Sequence, residues 1–350
     1  MKVLVSGYLG FGNLGDEAIL AGLAGGLTAR GHAVRALSAA PAATRAAHEL
    51  PASHRLVGLP WALADGDALV SGGGGLLQDG TSGRSLRYYL GVIRAARATG
   101  LRVAVFAQSV GPLSSRGRRA VARALRGVPV AVRDAGSEAL LAELGIASHR
   151  VADVALALRP PPVRQVGGVL LIPRADVAGA RAGLEAVARD ALKEGRPVGV
   201  LALQPGDDAR EADAIAAAVP GVERRLAARP DEALARCAEV ERVVSVRLHG
   251  LVFALRAGRA HVGVAYDPKV GGFLTESGGA ALPLPLDVER LRAAAREATA
   301  PDVARVDRLV ARAERGLDWL DATLRGDPAP PEAGPPPGPR EGRGAGTMTP

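Results

Sequence analysis

The sequence contains one cysteine, Cys237, which excludes an internal disulfide and a thiolate zinc cluster and suits a reducing compartment. Aromatic residues make up only 3% of the 350 positions, so the cores must be built from Ala, Val and Leu. No apolar run reaches the roughly 18 residues of a membrane span. Residues 1–6, Met-Lys-Val-Leu-Val-Ser, enter a glycine loop too early for a signal-peptide core, and a cytosolic location is expected. No Asp/His cluster asks for a metal, so neither metal nor cofactor is expected. Lysine is scarce: Lys2, Lys193 and Lys269 are the only three among 44 basic residues.

The net charge of +8 raises the question of a polyanionic partner. Arg and Asp/Glu are interspersed along most helical segments, which reads as a solvated surface. A nucleic-acid reader needs a basic stripe with groups for bases, and none is evident. Weak peripheral attraction to the anionic inner face of a membrane stays open.

Short apolar runs alternate with helical segments: 3–5 then 15–30, 33–37, 68–71 then 84–99, 103–106 then 115–126, and 130–132 then 135–145. This βα repetition predicts a parallel sheet. It pauses at Arg159-Pro160-Pro161-Pro162, where prolines continue neither element, and resumes at Val169-Leu170-Leu171-Ile172. Strands are expected near 197–203, 242–246 and 260–265, with helices near 176–194, 208–218, 230–239 and 287–299. The expected fold class is therefore α/β, with two Rossmann-like doubly wound domains, 1–160 and 164–300, facing a cleft. A helix over 301–325 carries apolar residues at helical spacing and needs a partner face. The Pro/Gly-rich tail, 326–350, has little to bury and is expected to be disordered.

The first strand opens into Gly7-Tyr8-Leu9-Gly10-Phe11-Gly12-Asn13-Leu14-Gly15-Asp16-Glu17. The glycines satisfy GxGxxG, but Leu37-Ser38-Ala39 lacks the acidic residue a dinucleotide ribose requires. Asp16 and Glu17 would also repel a pyrophosphate from the helix end. Asn13, Asp16 and Glu17 instead suit a hydroxyl-rich ligand, with a carboxylate as base; capping of the helix by Asn13 or Asp16 is the competing reading. Ser71-Gly72-Gly73-Gly74-Gly75-Leu76-Leu77-Gln78-Asp79 follows another strand and would let a ligand approach the backbone. Asp65-Gly66-Asp67 imitates a metal-binding DxD at the wrong end of that strand. Gln108 and Arg133 sit at two further strand ends.

In the second half, Ser245-Val246-Arg247-Leu248-His249-Gly250 and Tyr266-Asp267-Pro268-Lys269 gather cations and a proton carrier at consecutive strand ends, as a site for an anionic substrate would. An ammonium at 269 in so arginine-rich a chain points to a need for a compact charge.

Taken together, Gly15-Asp16-Glu17-Ala18, Gly73 to Asp79, Gln108 to Pro112, Val132-Arg133-Asp134, Arg247-Leu248-His249 and Tyr266 to Val270 resemble the polysaccharide pyruvyl transferase family, in particular its cell-surface-anchoring subgroup. The resemblance spans about residues 1–275. It implies a fold similar to GT-B glycosyltransferases with phosphoenolpyruvate as donor, held by Arg133, Arg247, His249 and Lys269. It further implies a lipid-diphosphate-linked acceptor containing N-acetylmannosamine, whose pyruvylated polymer retains S-layer-homology proteins. Asp153-Val154 stands where the family usually has Asp-Pro, and Pro173-Arg174-Ala175-Asp176 where an arginine followed by tryptophan is usual. His249 is the expected acid, and Asp16, with Glu17 second, the expected base. Tyr8, Asn13, Asp16, Gly73, Gly74, Gln78, Asp79 and Gln108 are expected to meet the acceptor. The alternatives are a nucleotide-sugar glycosyltransferase and a non-catalytic glycan- or lipid-carrier-binding protein.

Overall fold

The structure, a computed structural model, describes residues 1–80 and 82–328. In the first half β1 (Lys2–Ser6), α1 (Leu14–Ala29), β2 (Ala33–Ser38), α2 (Pro41–His48), β3 (Ala52–His54), α3 (Leu59–Asp65) and β4 (Ala68–Leu77) follow one another. They lead to α4 (Gly83–Ala98), β5 (Arg102–Val110), α5 (Ser115–Leu125), β6 (Val130–Val132), α6 (Ala135–Glu143) and β7 (His149–Arg150). After a 3₁₀ turn at Val154–Ala157, the second half runs β8 (Val169–Ile172), α7 (Ala180–Lys193), β9 (Val198–Leu201), α8 (Asp207–Ala218), β10 (Val222–Arg225) and α9 (Pro230–Glu239). It continues as β11 (Arg242–Ser245), α10 (Leu248–Arg256), β12 (Ala260–Ala265), α11 (Pro268–Ser277), β13 (Ala280–Pro283), α12 (Val288–Glu297) and α13 (Val303–Arg325).

The strands form two sheets, ordered β3-β2-β1-β4-β5-β6-β7 and β10-β9-β8-β11-β12-β13. Every pairing in both is parallel. Helices cover both faces, which is why strands such as Val3-Leu4-Val5 are apolar without alternation and at most 1% exposed. In each sheet the order reverses beside its first strand, and the loops beyond the carboxyl ends of β1, β4, β8 and β11 therefore border a crevice.

The two halves share a core. Leu14 and Ala18 of α1 and Ala152, Ala155 and Leu156 around the 3₁₀ turn pack with Leu234, Leu248, Leu251 and Phe253 of the second half. The amide of Leu14 donates to the carbonyl of Leu203 at 2.8 Å across this seam. The partner face that the apolar residues of α13 need is supplied by both units. Leu309 and Ala313 join the shared core, while Leu317, Trp319, Leu320 and Leu324 pack against α1 and the first sheet. Each such fully buried leucine contributes roughly 1.5–3 kcal/mol.

Two expectations change here. The glycine run is not a loop: β4 continues through it to Leu77, with its register to β5 shifting between Gly74 and Leu77. Gly73, at φ +65°, leaves room for α1, since a Cβ there would lie 1.9 Å from Ile19. That gives it a packing role, and it is not among the residues that line the cleft. The strands β3, β7, β10 and β13, the short helices α2 and α3, and the helices α10 and α11 are additional to the expected elements. The tail beyond residue 328 lies outside the described residues. Among the described residues no helix is long and apolar enough to cross a membrane.

Candidate active site

Asn13 caps α1, its Oδ1 accepting from the amides of Gly15 at 3.0 Å and Asp16 at 3.4 Å. The cap satisfies the helix end and leaves the Asp16 carboxylate to face the crevice. Gly74, also left-handed at φ +77°, makes room for it: a Cβ there would stand 2.9 Å from Asp16 Oδ1. Across the crevice, β11 ends at Ser245, and Arg247 stands at the N-cap of α10, placing His249 in its first turn. The ring of His249 lies over Gly15, where a Cβ would be 2.2 Å from Nδ1. Asp16, Arg133, Arg174, Arg247, His249 and Lys269 thus line one polar cleft of about 120 Å³.

The cations expected at the donor site each stand beside a carboxylate. Arg247 forms a two-pronged pair with the buried Asp208, Nε to Oδ2 at 2.6 Å and Nη2 to Oδ1 at 2.8 Å. Arg133 Nη1 donates to Asp153 Oδ2 at 2.5 Å and its Nε to Ser109 Oγ at 2.9 Å, so its geometry is fixed. Its Nη2 makes no hydrogen bond among the described residues. Asp153 also stands 3.5 Å from His249 Nε2. Burial alone would raise the Asp153 carboxyl, but Arg133 and His249 outweigh it and hold it well below the usual range. Lys269, in the first turn of α11, lies 3.0 Å from Asp267 Oδ2, and its Nζ reaches across toward Gly75 of β4. Arg174, just beyond β8, lies 4.8 Å over the Tyr266 ring.

Asp16 behaves oppositely to Asp153. Burial pushes its carboxyl up to about 6, against the opposing pull of His249 and Arg133. Two carboxylates with divergent proton affinity thus flank one imidazole, which is how acid and base roles become separable.

Four candidate residues serve elsewhere. Glu17 is buried behind the glycine loop, its Oε1 accepting from Gly10 N at 2.8 Å and its Oε2 paired with His48 Nε2 at 2.7 Å. It braces the loop and does not reach the cleft. Gln108 is fully buried, donating to Ser71 O and Oγ at 2.8 and 2.9 Å, because β5 continues past it and places it between strands. Asp79 accepts from Ser114 N at 2.8 Å and Oγ at 2.5 Å and so anchors the start of α5. Gln78 is half-buried beyond the cleft lining. Tyr8 stacks on Phe11 with centroids 4.2 Å apart and is not among the residues that line the cleft. The Asp65 and Asp67 carboxylates hold Lys2 at the amino end of β4.

Asp153, Asp208 and Arg174 escaped the reading of site residues. Arg174 carried a signal, its place just after a strand at the switch point. Asp208 carried none, because its partner is 39 residues away in sequence.

A second cavity, about 740 Å³, opens from the first, sharing Arg133, Leu248, Tyr266 and Lys269 with it. Its further walls come from α6 and α11, with Leu140 and Phe273 among the apolar side chains.

Two parallel Rossmann-like sheets meeting at a polar cleft define an α/β, GT-B-like protein. The fold is similar to UDP-GlcNAc 2-epimerase from Neisseria meningitidis bound to UDP-GlcNAc, with 9% identity and a TM-score of 0.60 over 93% of this chain and 98% of that one. The Methanocaldococcus jannaschii UDP-GlcNAc 2-epimerase gives 12% identity and a TM-score of 0.57 over 89% and 99%. A glycosyltransferase from Rickettsia africae gives 10% and 0.54 over 93% and 96%. At such identities the likeness concerns the fold alone. No curated protein matches the sequence. The family model for polysaccharide pyruvyl transferases matches residues 13–268, and the chain belongs to that family.

Proposed function

We propose that this protein moves a pyruvyl unit from phosphoenolpyruvate to two hydroxyls of one sugar, forming a 4,6-ketal and releasing inorganic phosphate. The observation that carries this reading is the cleft itself, in which Arg133, Arg174, Arg247, His249 and Lys269 confront the carboxyl of Asp16, whose proton affinity burial raises to about 6. Arg247, aligned by Asp208, and the Nη2 of Arg133 bind the donor's carboxylate and phosphate oxygens. Lys269 stabilises charge on the departing phosphate.

In the proposed reaction Asp16 takes the proton of the first hydroxyl as its oxygen bonds to C2 of the donor, and His249 delivers a proton to C3, making the methyl group. The C2–O bond to phosphate then breaks as the second hydroxyl attacks. Of the two hydroxyl protons, one is balanced in the methyl group and the other in the released phosphate. The larger cavity falls within the roughly 300–1,000 Å³ of small-molecule sites and gives a saccharide acceptor its room. An N-acetylmannosamine-containing, lipid-diphosphate-linked cell-wall precursor, acted on in the cytoplasm and serving S-layer protein anchoring, is the acceptor we favour from the subgroup resemblance.

The test is to incubate the protein with phosphoenolpyruvate and a ManNAc-GlcNAc lipid-diphosphate analogue and weigh the product, with Lys269→Ala beside it. A ketal adduct that disappears in the variant supports the reading. Absence of donor binding, together with binding of a uridine nucleotide, overturns it in favour of a nucleotide-sugar transferase, the alternative that the epimerase and glycosyltransferase likeness supports.

A further inference from the structure

The charge of this protein is not evenly spread. Residues 80–133 contain eleven arginines and no Lys, Asp or Glu, a surplus larger than the +8 of the whole chain. The expectation of interspersed charge fails for this span, which comprises α4, β5, α5 and β6. Arg84 and Arg87 in the first turns of α4, and Arg116 and Arg119 in the first turns of α5, are exposed. None of these four has a carboxylate partner among the described residues.

An apolar patch adjoins them. Leu56 and Val57, between β3 and α3, and Trp61, in the first turn of α3, are 58%, 77% and 79% exposed. The patch is tied to α4 through Arg55, whose guanidinium lies 4.0 Å over the Tyr88 ring and whose carbonyl accepts from Tyr88 Oη at 3.0 Å. Arg84 is four residues before Tyr88 and shares its side of the helix. The helices α3, α4 and α5 cover the same face of the first sheet. Because β4 and β5 are parallel, α4 and α5 both begin at its carboxyl edge, the edge that borders the cleft. Arg55 also lies 5.3 Å from the Phe11 ring, and Phe11 stacks on Tyr8 in the glycine loop that follows β1.

We infer that the surface formed by residues 55–61 and the first turns of α4 and α5 docks on an anionic lipid bilayer. Charge complementarity selects the occupant: although Glu143 pairs with Arg118 and Asp79 holds Ser114 beside this surface, Arg84, Arg87, Arg116 and Arg119 carry no carboxylate partner among the described residues and match anionic headgroups, and an exposed tryptophan flanked by aliphatic side chains suits the headgroup boundary. Leu56 and Val57 have no role against a nucleic acid, whose bases ask for stacking planes and hydrogen bonds. Docking there presents the cleft to a sugar that projects from the membrane. The inference goes beyond the reaction and does not depend on it.

The experiment mixes full-length protein with phosphatidylcholine vesicles, with and without one part in three of phosphatidylglycerol, in the absence of donor and acceptor. Trp61 and Trp319 are the only tryptophans, and Trp319 is buried, so a change in emission on binding reports on Trp61. Binding to the anionic vesicles alone, with a blue shift and reversal by salt, is the expected result. Arg84→Glu with Arg87→Glu should weaken it by at least about 25-fold, near fivefold for each arginine contact. Trp61→Ser should abolish the blue shift, and both variants should keep the wild-type circular dichroism melt. Failure of the wild type to bind, equal binding to neutral vesicles, undiminished binding by the arginine variant, or binding to an RNA oligomer in preference to vesicles would overturn the inference. Turnover on a water-soluble acceptor reports separately on the reaction, so either reading can fall without the other.

Discussion

Replacing Asp16 with Asn should make the protein more stable and inactive at once. The Asp16 carboxyl is pushed by burial from 3.8 up to about 6. The folded state therefore keeps a proton that the unfolded chain has released, and stability falls as pH rises from about 4 through 6. That shift is worth about 3 kcal/mol, fully present above pH 6. Asparagine imitates the protonated carboxyl in shape and carries no charge to desolvate. Urea denaturation of wild type and Asp16→Asn should nearly coincide at pH 4, then separate in favour of the variant by about 3 kcal/mol at pH 8. Turnover should fall by roughly 10²–10⁴-fold, the contribution of a positioned base. The wild-type pH–rate profile should rise through about 6 as the base ionises. A gap that does not change with pH, or a variant less stable than wild type at pH 8, would refute the argument that Asp16 is held against its preferred charge state.

Asp153→Asn should behave oppositely, because it leaves Arg133 buried without its counter-charge; a loss of about 3–5 kcal/mol is expected in the same denaturation assay. Gly15→Ala forces a methyl into the His249 ring and should lower kcat by about 100-fold, the scale of a 1 Å misplacement, while circular dichroism stays native. Arg247→Lys keeps the charge but loses the paired bonds to Asp208, and the KM for phosphoenolpyruvate should rise by about 10-fold or more in steady-state kinetics. Glu17→Gln should leave the pH–rate profile in place, since Glu17 contacts Gly10 and His48 outside the cleft.

The alternation of apolar strands with helices was legible because parallel strands are buried on both faces, and Val169-Leu170-Leu171-Ile172 shows it plainly. Arg247, His249 and Lys269 were legible for a related reason: each lies within four residues of the end of a strand, and ligands gather at that edge. What failed were inferences about direction. Gln108 and Gly73 lie in the right strands, but β4 and β5 run further than their apolar stretches suggest, so these residues turn into the sheet and toward α1. Helix α10 was hidden because Leu248 and Leu251 to Leu255 are buried nearly all round, which erases helical periodicity. Asp153 and Asp208 serve arginines 20 and 39 residues away, and no local pattern records such a partnership.

The shared core at the seam bears on how this scaffold can be recombined. A chimera cut at the proline segment 159–162 would separate Leu14, Ala18 and Ala152 to Leu156 from the second-half side chains they were selected beside. It would also pair His249 with a foreign Gly15. Exchange of acceptor specificity between relatives should therefore succeed only when α1 and residues 151–158 travel with the second half. The natural unit of inheritance in this molecule crosses the line along which its two sheets divide.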